Sequence, residues 1–258
     1  MQGNREFLSV IVPAFKQQKT IRKDLAEIDR TLKMGLERHY GYEILCVVDG
    51  DQKTAKEARK IISPKIKIFS YETNMGKGHA VRYGMARARG TLISFLDAGQ
   101  EISPKGIMML IAHLDWYGAD IIVGSKRHPA SQVKYPFARH VFSIGYHFIL
   151  KILFGLSVKD TQSGIKIFKR DVIDKILPRL LVKRYAMDIE MLAVARYLGF
   201  KKIYEAPIEI HYKFKDLTHA STMSSIVRML WDTMAVFYRL RILNYYNSRN
   251  RKNWLSDI

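Results

Sequence analysis

The feature that most constrains this chain is a repeated alternation in its first half. Short apolar runs are each followed by a polar turn and then by a helical pattern. The apolar runs at 7–12, 43–48, 66–71, 91–96 and 120–123 have strand length, and they alternate with helical stretches predicted at 20–38, 53–62, 79–89 and 104–117. In the first helix Ile21, Leu25, Ile28, Leu32 and Leu36 fall on one face. Strands alternating with helices predict an α/β fold with a mostly parallel sheet covered on both faces. Such sheets bind ligands beyond the carboxyl ends of their strands. Asp49, the stretch Asn74-Met-Gly-Lys-Gly78 and Asp97 all fall at those ends.

Of the 258 residues, 48% are hydrophobic, which is enough for a substantial core and excludes a disordered chain. The one cysteine, Cys46, cannot form an internal disulfide and sits in an apolar run as a small buried hydrophobe. The formal net charge of +19 calls for an anionic partner: nucleic acid, an anionic membrane or a phosphorylated substrate. Neither a zinc-ligand spacing nor an aromatic RNA-reading motif appears, so a nucleic-acid role is not expected. The start shows no signal peptide, and no apolar run reaches the length of a membrane span, the nearest being 142–156. The expectation is a cytoplasmic protein, peripheral to the cytoplasmic membrane face.

The polar turns have the chemistry of a nucleotide diphosphate site. Pro13, Ala14 and Phe15 make a rigid turn with little bulk at its centre. Asp49 offers a carboxylate to a base or ribose. Gly76 and Gly78 permit close approach of backbone to phosphate, Lys77 adds a positive charge, and Asn74 opens the turn.

In order and spacing, Val10-Ile-Val-Pro-Ala-Phe15, Val48-Asp-Gly50, Asn74-Met-Gly-Lys-Gly-His-Ala80 and Phe95-Leu-Asp-Ala98 resemble the family 2 glycosyltransferases of GT-A fold. Asp160-Thr-Gln-Ser-Gly-Ile-Lys166, Met187-Asp-Ile-Glu-Met191 and Glu205-Ala-Pro-Ile-Glu-Ile-His211 resemble the subgroup acting on polyprenyl or dolichyl phosphate. The resemblance runs from about Phe7 to about Lys213. It implies a GT-A domain over residues 1–222, with a basic amphipathic helix and tail over 223–258. It also implies a nucleotide-sugar donor, GDP-mannose or UDP-glucose, with Asp49 at the base, Asp97 at the ribose or metal, and Ala98 among the donor-binding residues.

The family pattern Asp-x-Asp holds Mg²⁺ or Mn²⁺ through its last Asp, and here that position is Gly99. Relatives of the polyprenyl-phosphate type also use a side chain two residues further on, which is Glu101 in this chain. Asp97 and Glu101 are therefore the expected metal ligands, with phosphate oxygens and water completing the shell. Asp188 and Glu190 stand two apart near a helix start. By resemblance Asp188 is a general base toward a hydroxyl acceptor, or orients acceptor or sugar where the acceptor is already a phosphate anion. Gln162 falls in a loop that lines the sugar pocket in the family.

On the acceptor side, residues 137–156 read as one amphipathic helix with Arg139, Ser143 and His147 recurring every four residues. Phe142, Tyr146, Ile149, Leu153 and Phe154 supply its apolar face, the shape of a helix lying in a membrane surface. Lys126, Arg139 and Ser143 match the family's acceptor-phosphate positions. A second helix is expected over 224–246, with Ile226, Leu230, Met234 and Phe237 on one side and Arg228, Arg239 and Arg241 supplying charge. The expected reaction transfers a hexose to polyprenyl phosphate with inversion at the anomeric carbon. The alternatives are transfer to a hydroxyl acceptor and a non-catalytic nucleotide-sugar binder.

Overall fold

The computed structural model describes residues 6–36, 40–99, 101–131, 137–184, 186–210 and 223–254, and for 137–144, 223–226 and 253 the backbone alone. The first half follows the expected alternation: β1 (Phe7–Ala14), α1 (Ile21–Leu36), β2 (Gly41–Asp49), α2 (Gln52–Ala58), β3 (Ile66–Tyr71), α3 (Lys77–Arg87), β4 (Leu92–Leu96), α4 (Gly106–Tyr117) and β5 (Ile121–Ser125). The second half adds α5 (Phe137–Phe154), β6 (Ile165–Lys169), α6 (Arg170–Ile176), α7 (Met187–Tyr197), β7 (Ile203–Pro207) and α8 (Met223–Arg241), with short 3-10 turns at Leu177–Arg179 and Ser248–Asn253.

Seven strands form one sheet in the order β3-β2-β1-β4-β6-β5-β7. The strands β1 to β4 run parallel, while β6 lies antiparallel between β4 and β5, so the fifth strand of the sequence is not the neighbour of the fourth. Strand alternation explains the two cores. Leu8, Val10 and Val12, with Ile44, Cys46 and Val48, face α1, α2 and α4. Ile11, Leu45 and Val47 face the opposite layer, which holds α3 and α5 to α8. Buried Cys46 is one of these core residues, and burial pushes its thiol up to about 12.

Several element boundaries move from their expected places: β1 runs on through Pro13 and Ala14 in place of the expected turn, and α8 ends at Arg241 rather than Tyr246. The helix after β3 begins at Lys77 rather than His79, so Lys77 and Gly78 belong to its first turn. The helix after β2 ends at Ala58 rather than Ile62.

The two late helices pack against each other, with Tyr146 and Thr233 hydroxyls 2.7 Å apart and the Phe154 and Phe237 rings 6.2 Å apart. Among the described side chains of α8, Thr233, Val236 and Leu240 are buried, and Met234 faces outward at 49% exposure. The inward stripe thus keeps Phe237 from the expected one but leaves Met234 outside. Beyond α8, Tyr246 is wholly buried, which ties the end of the described chain into the core. No helix among the described residues is long and apolar enough to cross a membrane.

Candidate active site

A cleft of about 560 Å³ opens at the carboxyl edge of the sheet. Its walls collect residues from separate segments. Pro13, Ala14 and Phe15 come from the end of β1, Asp49 from the end of β2, and Asn74, Gly76 and Lys77 from the entry to α3. Asp97 and Ala98 follow β4, Gln162 precedes β6, and Asp188 stands in the first turn of α7. Because β6 is antiparallel, its beginning lies at the same edge as the end of β4, and this carries Gln162 to Asp97. The two segments touch: Asp97 N donates to Gly164 O at 2.9 Å, and a Cβ at Gly164 would lie 2.4 Å from Asp97 Oδ2.

Asp49 is almost wholly buried, and its carboxylate builds the next loop. It accepts from Asn74 Nδ2 at 2.9 Å, Met75 N at 2.7 Å and Gly76 N at 2.9 Å. Three of its roughly four lone-pair sites are thereby engaged. Gly50 and Gly76 both have positive φ, at 68° and 98°. A Cβ on Gly76 would meet Lys183 O at 2.4 Å, so glycine is required by space as well as by backbone. Gly78 does not line the cleft; its N donates to Lys183 O at 2.9 Å and it serves as a packing point.

Lys77 donates to Asp97 Oδ2 at 2.8 Å. Burial pulls the Lys77 ammonium down, but Asp97, then Asp188 and Glu101, outweigh it and hold its pKa above the usual lysine value. The other oxygen, Asp97 Oδ1, is buried and has no hydrogen-bond partner among the described residues. Glu101 is exposed, and its charge acts on Lys77. Between them Gly99 adopts φ 103°, with its N donating to Asp24 Oδ2 at 3.0 Å. A carboxylate oxygen that is buried and unpartnered among the described residues, with the exposed carboxylate of Glu101 four residues further on, suits a hard cation completed by phosphate oxygens. No group of three His, Cys, Asp or Glu side chains forms a protein-only metal cage among the described residues.

Asp188 Oδ1 accepts from Lys166 Nζ at 2.5 Å, and Lys166 also donates to Ser163 O at 2.7 Å. Lys166 is wholly buried, and burial draws its pKa below the usual lysine value despite Asp188. The neighbouring Glu190 has a different task. It is wholly buried, accepts from Leu181 N, Val182 N and the Tyr246 hydroxyl at 2.7 Å, and burial raises its pKa. It therefore fixes the loop that carries Lys183 and Arg184.

Sequence reasoning did not select Gln17, Arg184 or Lys166. Gln17 and Arg184 line the cleft, and Lys166 lies beneath it. On the acceptor side, Lys126 is not among the cleft-lining residues, and its backbone N donates to Asp160 Oδ2 at 2.9 Å. Arg139 and Ser143 lie on α5, and their side chains are outside the described residues. His147, next on that line, pairs its Nδ1 with Val158 O at 3.0 Å.

Comparison with known proteins fits this geometry. A dolichyl-phosphate beta-glucosyltransferase of Dictyostelium discoideum is 29% identical over 90% of this chain and 74% of its own length. One from Trichomonas vaginalis is 31% identical over 95% of this chain and 77% of its own. Among solved structures, glucosyl-3-phosphoglycerate synthase from Mycobacterium tuberculosis, in complex with Mn²⁺, UDP and glucosyl-3-phosphoglycerate, superposes with a TM-score of 0.65. It is 18% identical and covers 90% of this chain and 79% of its own, a likeness of GT-A fold. Residues 9–177 match the model for glycosyl transferase family 2, and the chain belongs to that family.

Proposed function

We propose that this glycosyltransferase moves a hexosyl group, glucosyl in the first instance, from a nucleotide-sugar to the phosphate of a dolichyl or other polyprenyl phosphate. The observation that carries the reading is the convergence of six separate sequence motifs on one cleft, with Lys77, Asp97 and Asp188 lining the same space. The names of the relatives support the glucosyl group and the lipid phosphate. UDP in the related synthase favours UDP-glucose over GDP-mannose as donor.

In this reading Pro13, Ala14, Phe15 and the Asp49-built loop hold the nucleoside, and the entry to α3 faces the diphosphate with Lys77. A phosphate oxygen of the acceptor attacks the anomeric carbon. The bond from that carbon to the β-phosphate oxygen breaks, and its electron pair leaves with the nucleoside diphosphate, giving inversion. Lys77 meets the charge that develops on the leaving group. Asp97 Oδ1 and Glu101 would hold Mg²⁺ or Mn²⁺, which when bound acts as a Lewis acid toward the diphosphate. Asp188 has one oxygen committed to Lys166, and its other oxygen receives a sugar hydroxyl, beside Gln162. That commitment favours an acceptor that is already anionic over a hydroxyl acceptor, which would need Asp188 as its base.

For the acceptor phosphate we propose Lys126 with Arg139 and Ser143, one turn apart on α5. A peripheral position at a membrane is supported by the apolar residues left exposed on the paired helices: Phe148, Ile149 and Ile152 on α5, and Trp231 and Tyr238 on α8. The test is a transfer assay offering a prenyl phosphate, the matching prenyl alcohol and a small phosphorylated acid. Transfer to the prenyl phosphate alone is expected, and preference for the alcohol would move the hydroxyl-acceptor reading ahead.

A further inference from the structure

Beside the donor cleft lies a second cavity of about 420 Å³, on the far side of the loops at 74–75 and 181–184. Asn74 and Arg184 line both spaces. The third wall is α8, through Asp232, Ala235 and Arg239. Three cationic side chains, Lys183, Arg184 and Arg239, line it against one carboxylate, Asp232.

The cations are held in different ways. Arg239 is anchored, its Nε donating to the Tyr246 hydroxyl at 3.2 Å and its Nη2 standing 4.0 Å from Glu190. Among the described residues the side chains of Lys183 and Arg184 have no ion-pair or hydrogen-bond partner. Their backbone is fixed all the same. Glu190 accepts from the two preceding N–H groups at 181 and 182, and Lys183 O accepts from Gly78 N. Two unneutralised cations on a pinned loop, facing a third across a cavity, suit a phosphate group.

Helix geometry says what is attached to that phosphate. Asp232, Ala235 and Arg239 are spaced i, i+3, i+7 and face the cavity. One residue round the helix, Trp231, Met234 and Tyr238 repeat the same spacing and are exposed at 76%, 49% and 52%. A charged cavity thus runs directly beside an apolar stripe that contains Trp and Tyr, the side chains favoured at a membrane–water boundary.

We propose that this cavity is a headgroup site for an anionic phospholipid of the bilayer, separate from the acceptor. The phosphate sits among Lys183, Arg184 and Arg239, and the acyl chains leave along Trp231, Met234 and Tyr238. The proposal rests on the membrane placement given above, and its test reads lipid binding rather than sugar transfer.

The experiment is co-sedimentation of the full chain with vesicles of phosphatidylcholine, with and without phosphatidylserine, at fixed salt. The wild type partitions more strongly to the phosphatidylserine vesicles. Lys183→Ala lowers that partition about fivefold, one basic charge at an anionic surface. Asp232→Asn, which removes the cavity's carboxylate, raises it several-fold, a gain that a misfolded variant cannot give. Trp231→Ser lowers binding to both kinds of vesicle. Wild type that binds neither vesicle overturns the membrane placement and the site together. Wild type that binds, with Lys183→Ala and Asp232→Asn unchanged, overturns the site alone. If instead Lys183→Ala raises only the KM for a short prenyl phosphate, the cavity belongs to the acceptor. If it abolishes only thermal protection by inorganic phosphate, the ligand is a soluble phosphate. Either result overturns the phospholipid assignment.

Discussion

Lys166 and Asp188 form an ion pair beneath the cleft, Nζ to Oδ1 at 2.5 Å, with the lysine wholly buried. The same ammonium lies 5.1 Å from the centre of the Phe95 ring, and Lys77 lies 5.4 Å from that ring. Two lysines thus flank one buried aromatic, each paired to an acid that faces the cleft.

Removing one partner of a buried pair leaves the other charge uncompensated. Lys166→Met is expected to lower unfolding free energy by about 3–5 kcal/mol. Lys166→Met combined with Asp188→Asn should recover a large part of that loss, because both charges are gone. Urea unfolding of the two single variants and the double variant measures the coupling. Additive losses would show that the pair contributes nothing as a pair.

Asp49 organises the donor loop through three hydrogen bonds, so Asp49→Ala is expected to weaken nucleoside diphosphate binding at least tenfold. Bonds to an ionised acceptor contribute about 1.5–3 kcal/mol each. Asp49→Asn retains one acceptor oxygen and should lose less. Calorimetric titration with UDP and GDP checks both, and an unchanged affinity in Asp49→Ala would remove the residue from the site.

Glu101→Ala is expected to raise several-fold the Mg²⁺ or Mn²⁺ concentration needed for half-maximal activity, and EDTA should abolish turnover. Restoring the family's acidic residue by Gly99→Asp should not help. The backbone there holds φ 103°, a conformation costly to any residue with a Cβ, so about 1–2 kcal/mol of stability is lost. Activity that survives EDTA, or a normal metal response in Glu101→Ala, would end the two-carboxylate assignment.

At the other edge of the sheet, Glu43 is buried and accepts from Ser9 Oγ at 2.8 Å, Arg89 N at 2.9 Å and Lys67 Nζ at 3.2 Å. Burial alone would raise its pKa, but Arg89, Ser9 and Lys67 together hold it below the usual glutamate value. A depressed folded pKa means that its stabilisation is fully present above the unfolded value, about 4.3. It is lost as pH falls from there through the folded value. The stability gap between wild type and Glu43→Gln should therefore be widest near neutrality and close below about pH 4. A gap that widens on acidification would contradict the assignment.

The first half of the fold was legible because its signals are local. Apolar runs of strand length, the Ile21 to Leu36 stripe and acidic residues at strand ends mark β1 to β4 and most of the cleft without knowledge of distant contacts. What was not legible depends on pairing across the chain. Strand β6 lies antiparallel between β4 and β5, and no residue within Ile165–Lys169 announces those neighbours. Lys166 reads as a solvent-facing strand residue until Asp188, 22 positions on, is brought to it. Arg184 is one cation among many in a basic chain, and only the Glu190 contacts reveal that its loop is fixed. On α8, Leu230, Met234 and Phe237 formed a plausible stripe; Phe237 does pack against Phe154, but the buried line passes through Val236 and Leu240 and Met234 is left outside.

The most direct test of the central claim is proton NMR of the first product formed from UDP-glucose and a short prenyl phosphate in the presence of Mg²⁺. The donor carries its glucose in the α configuration. Direct displacement by the acceptor phosphate predicts a β-linked prenyl-phosphate glucose and one UDP released for each. An α-linked product, free glucose alone, or transfer to a hydroxyl in place of the phosphate would contradict the account.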